Sequence, residues 1–119
     1  MFKPEFVGDV VGKWLEHPRQ MQLEQDFVFI DKTGFRWCAT KGSIVDGASI
    51  PKIFQTIIGS PFVGMYRRAS VVHDVYCQTK SQPHKEVHKM FYNAMRLDGV
   101  NYIKAKTMYF AVRLGGPKW

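Results

Sequence analysis

The chain has 119 residues, 45% apolar and 14% aromatic, the profile of one folded domain and not of a disordered segment. Its two cysteines, Cys38 and Cys77, form no disulfide framework and read as free thiols, which fits a reducing interior or a phage particle better than a stapled secreted scaffold. No window approaches 18 apolar residues, and MFKPEFVGDVVGKW lacks the apolar core of a signal peptide, so neither a membrane span nor a secretory leader is expected.

The first 46 residues read as β-structure. EFVGDVVGKWL is rich in valine and aromatics, and MQLEQDFVFID carries Leu23, Phe27 and Phe29 among acids. DKTG at 31–34 is a turn, because Gly34 supplies the positive φ such turns need. FRWCAT follows as the return strand. The three segments suggest a small antiparallel meander.

VDGASIPKIF marks the switch to helix. Asp46-Gly47 is a turn, Ser49 fits an N-cap, and Pro51 fits the first turn of a short helix over 51–57 that ends at Gly59. GSPFVG is then a loop. From Met65 the pattern is helical, with Tyr66, Ala69, Ser70, His73, Tyr76 and Cys77 on one face. Pro83 opens the next helix, over 84–98, where Val87, Phe91, Ala94 and Met95 form an apolar stripe shared by His84 and His88. Gly99 closes it and Asn101 opens a last helix. That helix carries Ile103, Thr107, Phe110 and Leu114 on one side, with Lys104 and Arg113 outward. The expected fold class is α+β: residues 1–46 as a sheet, and residues 47–119 as three or four helices packed on it, in one domain.

Charge follows the same division. Residues 1–59 hold seven Lys/Arg and seven Asp/Glu; residues 60–119 hold ten and three, and so the whole net charge of +7. The helical half is either a solvated exterior or a surface facing an anionic substrate or partner.

The candidate chemistry centres on ASVVHDVYCQ. A break of a few residues makes helices 65–79 and 84–98 antiparallel neighbours, with His73 and His88 each about two turns from the turn between them. The two should sit at similar height and approach each other, directly or through water or a metal. Asp74, rotated about 100° from His73, either flanks the same cleft or pairs with Arg67 on the surface. In the first case His73 is a general base and Asp74 a cation ligand at the cleft edge. In the second the pair contributes little.

HDVY resembles the His-Asp helix of secreted calcium-dependent phospholipases. That resemblance implies His73 as base, Asp74 as calcium ligand, and an aspartate on the facing helix to orient the histidine. Here the facing residue is His88, and the family's glycine-rich calcium loop and disulfides are absent. A second resemblance covers residues 45–116. VDGASIPKIF, GSPFVGMYRRASVVHDVY, KEVHKMFYNAMRLDGV and YFAVRLGG together are similar to a family of small uncharacterised phage and prophage proteins, in which the position of His88 is usually aspartate. It implies a phage origin, with residence in a virion or the host cytoplasm, and no particular activity.

Asp46 and Ser49 are either turn and cap residues or a ligand and a donor at the cleft, with Tyr76 and His84 as further cleft candidates. His84 and His88 form an H-x-x-x-H pair that can bind zinc; the bland reading is two partly buried histidines. Cys77, one turn from His73, is either half of a nucleophilic pair or a buried thiol. Basic residues among Tyr92, Tyr102 and Tyr109 make nucleic acid a third class of partner, though no recognised nucleic-acid motif is present. Two functional expectations result. One is a virion- or tail-associated, metal-assisted ester hydrolase using calcium or zinc, with His73 and His88 catalytic and Asp74 and Asp46 at the metal. The other is a non-catalytic tail, baseplate or assembly protein of a phage particle, in which the histidine pair fixes helix register.

Overall fold

A computed structural model describes residues 2–16, 20–47, 50–52 and 64–119. Ser49 and nearly all of the helix expected over 51–57 lie outside the described residues. Six strands are described: β1 (Glu5–Val7), β2 (Gly12–Trp14), β3 (Met21–Leu23), β4 (Phe27–Ile30), β5 (Arg36–Ala39) and β6 (Ile44–Val45). Three helices follow: α1 (Arg67–Thr79, entered through a 3-10 turn at Gly64–Tyr66), α2 (His84–Leu97) and α3 (Tyr102–Gly115). The molecule is α+β, with antiparallel strands first and packed helices after.

The strand connectivity is finer than three consecutive segments. The first two expected segments each bend into two strands, the third holds β5, and β6 follows beyond it; the strands form two three-stranded sheets, ordered β1-β4-β5 and β2-β3-β6. The first bend is at Gly8, whose φ of +82° suits glycine and takes the chain out of the β region. The turn between β5 and β6 falls at Lys41-Gly42, where Gly42 has φ +91°. Register follows burial: Phe29 pairs with Phe6 and Trp37, and Phe27 with Ala39. The 31–34 turn forms as expected. Asp31 Oδ1 accepts from Thr33 N (2.8 Å) and Phe35 N (3.2 Å), and its Oδ2 accepts from the Trp37 indole (2.9 Å). Burial by itself would raise the Asp31 pKa, but these donors outweigh it and hold it below the usual carboxylate value.

The helices stack in chain order, α1 on α2 and α2 on α3, and α1 also lies against β4, β5 and β6. It is therefore enclosed on several sides, and every residue from Ala69 to Cys77 is buried. Lys80, in the left-handed region at φ 56°, ends α1 with its N–H on Tyr76 O. Asn101 caps α3 by accepting from Lys104 N at 2.9 Å.

The expected inward side of α3 is corrected. Ile103, Phe110 and Leu114 are 75%, 51% and 79% exposed, while Ala105, Met108, Ala111 and Val112 are buried. The helix has apolar residues on both sides. The side bearing Ala105, Met108, Ala111 and Val112 packs, and the stripe of Ile103, Phe110 and Leu114 faces solvent.

Candidate functional site: a sealed histidine pair

Three rows of α1 side chains point at three neighbours, because successive residues are rotated about 100° around the axis. His73 and Cys77 face α2. Asp74 and Gln78 face the end of β6. Tyr76 faces β5. Each row meets the fold differently.

In the first row, His73 Nε2 lies 2.9 Å from His88 Nδ1, and both residues are fully buried. The His73 ring also stacks on Phe91 at 4.5 Å between centroids. His88 Nε2 lies 3.0 Å from the carbonyl oxygen of Pro117. A carbonyl can only accept, so His88 Nε2 carries a hydrogen. Neutral His88 then has its lone pair on Nδ1, and His73 Nε2–H donates to it. The tail after α3 thus fixes the tautomers of both rings. Burial, reinforced by the nearby His88, pushes the His73 pKa down to about 3. Burial also lowers that of His88; the Pro117 bond opposes this, while the charges of His84, Arg113 and Lys118 add to it. Both imidazoles are neutral at pH 7.

The tail closes the pair from outside. His84 Nδ1 lies 2.8 Å from Trp119 O, and the Trp119 indole donates to Gln82 O at 2.8 Å. The Trp119 ring stands edge-on to both His84 and His88. Pro117 and Trp119 were not singled out from sequence. The available signal was a tryptophan two residues after the helix-ending GGP, an apolar residue with little reason to be solvated.

In the second row, Asp74 is 2% exposed, so the surface pair with Arg67 does not form; Arg68 instead approaches Asp98 at 3.8 Å. Asp74 Oδ2 accepts from the backbone N–H of Asp46 and from Gln78 Nε2, both at 3.0 Å. Gln78 Nε2 also donates to Ile44 O at 2.7 Å. Asp74 and Asp46 do come together, through the Asp46 backbone. In the third row, Tyr76 OH accepts from Cys38 N–H at 2.9 Å. β5 is an edge strand of its sheet, and Tyr76 satisfies a backbone donor that no neighbouring strand reaches.

Calcium takes six to eight oxygen ligands. Asp74 Oδ2 accepts from two N–H donors. Among the described residues, the group of His, Cys, Asp or Glu able to share one ion is His73, Cys77 and His88, a nitrogen and sulphur set. Among the described residues, two surface clefts of about 400 and 330 Å³ lie along α2, the first beside the 31–35 turn, and neither of these two is lined by His73, His88 or Asp74. No helix among the described residues is long and apolar enough to cross a membrane.

The DGASIP and His-Asp segments lie in a region characteristic of one family. The chain belongs to the family described as protein of unknown function (DUF1353), whose profile matches residues 21–112. It is 50% identical to the uncharacterized protein y4jT of Sinorhizobium fredii over 116 residues, 96% of this chain and 34% of that one. It is 41% identical to the uncharacterized protein y4iH of the same organism over 97 residues, 82% of this chain and 41% of that one. The chain therefore spans about a third to two fifths of the length of these relatives. No solved structure matches it. The expected membership in an uncharacterised family holds; the phage origin and the phospholipase-like helix have no support in these matches.

Proposed function

We propose that this chain is a non-catalytic interaction module, in which the groups expected to be catalytic hold the fold together. The observation that carries this reading is where their hydrogen bonds go. His73 is joined to His88, His88 to Pro117, Asp74 to Asp46 and Gln78, and Tyr76 to Cys38. A general base must reach the proton it abstracts, and His73 is fully buried. The working surface is then the outside of the helical half. There the exposed stripe of Ile103, Phe110 and Leu114 is bordered by Lys104 and Arg113. An apolar stripe with a basic border suits a partner protein with an acidic rim. The same charges disfavour a second copy. In a phage particle, the setting expected from the DGASIP resemblance, such a partner would be another tail, baseplate or assembly protein.

The hydrolase remains as a second reading, because His73 has its Nε2 held by the facing helix, as a base in a dyad does. Hydrolysis of phospholipid vesicles and of a simple aryl ester, with and without calcium or zinc, separates the two. The interaction reading expects no turnover above buffer in any of these conditions. Turnover that disappears in His73→Ala, with the variant still folded, overturns it in favour of the hydrolase.

A further inference from the structure

The sealed histidine pair has a third member that the interaction reading leaves unused. Cys77 Sγ lies 3.7 Å from His73 Nε2, and the ligand atoms of His73, Cys77 and His88 all lie within 4.8 Å of one another. Two imidazole nitrogens bound to one transition-metal ion sit about 3.3 Å apart, and a nitrogen and a thiolate sulphur about 3.6 Å apart. The observed His73–Cys77 separation already matches. The His73–His88 separation of 2.9 Å needs to open by roughly half an ångström, and the third side, between Cys77 and His88, reaches up to 4.8 Å and needs to close by roughly 1 Å. The ion would take the place of the single hydrogen that now bridges the two rings.

We infer that His73 Nε2, His88 Nδ1 and Cys77 Sγ form a closed structural site for a soft monovalent ion, Cu(I). The ligand set selects a soft metal, since thiolate with imidazole suits copper or zinc and not calcium or magnesium. Charge selects between those two. With the Cys77 thiol deprotonated, Cu(I) gives a neutral buried site and Zn(II) leaves a net positive one. His73 and His88 are fully buried, so a further uncompensated positive charge between them is disfavoured. On binding, the Cys77 thiol releases its proton to solvent. The His73 hydrogen moves from Nε2 to Nδ1, which frees the Nε2 lone pair for the metal. Oxidation states do not change.

The test uses the whole reduced chain, refolded and titrated anaerobically with Cu(I) held by a chromogenic chelator. One Cu(I) per chain is expected, with X-ray absorption showing one sulphur and two imidazole nitrogens. Cys38→Ser should leave this unchanged. Cys77→Ser should weaken binding by more than the roughly 10–100-fold that losing an outer partner of a metal ligand costs. Because the absorption spectrum reads the ligands in the unsubstituted chain, a Cys77 variant that fails to fold does not remove the test. Absence of stoichiometric binding, a two-sulphur site that recruits Cys38, or a preference for Zn(II) with these same ligands each overturns the assignment. The titration reads metal binding and the ester assay reads turnover, so the failure of this assignment and the failure of the interaction reading are seen in different measurements.

Discussion

α1 and α3 are near mirror images in what they bury. α1 places Ser70, His73 and Asp74 in the interior, while α3 turns Ile103, Phe110 and Leu114 to solvent. In sequence both look like amphipathic helices of similar length. The difference is position: α1 is enclosed by α2 and the strands β4, β5 and β6, whereas α3 packs on α2. On an enclosed helix a buried polar group that finds a partner, as His73 and Asp74 do, links two elements in one register; Ser70 Oγ is buried with no hydrogen-bond partner among the described residues. An apolar group on an outer helix is free to serve a surface. The buried polar residues of α1 thus act on stability, and the exposed apolar residues of α3, on the proposed interaction reading, act on association.

The largest expected effect lies in the histidine pair. His73→Ala removes a fully buried ring packed on Phe91 and leaves His88 Nδ1 without its donor. A loss of about 3–5 kcal/mol is expected, in the range of large-to-small core substitutions, read from urea unfolding. A loss under 1 kcal/mol would mean that α1 is not held as described.

Acid should act on the same group in the metal-free protein. The folded His73 pKa is about 3 against 6.5 for the unperturbed group, so between these values the unfolded chain binds the additional proton. The stabilisation is complete above about pH 6.5 and is lost as pH falls toward 3. From pH 6.5 to 4 the drop from this residue is roughly 3 kcal/mol. His73→Gln, which does not titrate, should flatten that slope; an equal slope in both proteins would assign it to other groups.

Tyr76→Phe leaves the Cys38 N–H of the edge strand without its acceptor and should cost about 1 kcal/mol. A change in urea midpoint too small to measure would show that water replaces the hydroxyl there. The smallest effect is expected on α3. Ile103→Lys and Leu114→Gln should alter stability by no more than about 0.5 kcal/mol, as exposed substitutions do. A loss of several kcal/mol from either would mean that the stripe is core after all and would end the comparison with α1.

Local chemistry decided a good part of this molecule. Gly34 fixed a turn, Pro83, Gly99 and Asn101 marked helix limits, and the spacing from His73 to His88 placed two rings at the same height on adjacent helices. Such features depend on residues near one another in the chain, or on helix geometry with a short connection, and sequence carries both. Three matters needed the tertiary structure. Which apolar side of α3 packs depended on where α2 lies against it. The role of Asp74 depended on where the Asp46 backbone arrives, 28 residues away in the chain. The state of the histidine pair depended on a tail, Pro117 to Trp119, that folds back onto α2 from 29 residues beyond His88. A residue's type and period show what it can do. Whether water reaches it is set by elements distant in the chain, so for His73 the sequence determined the facing ring, and only the tertiary structure decided that the two rings are closed off together.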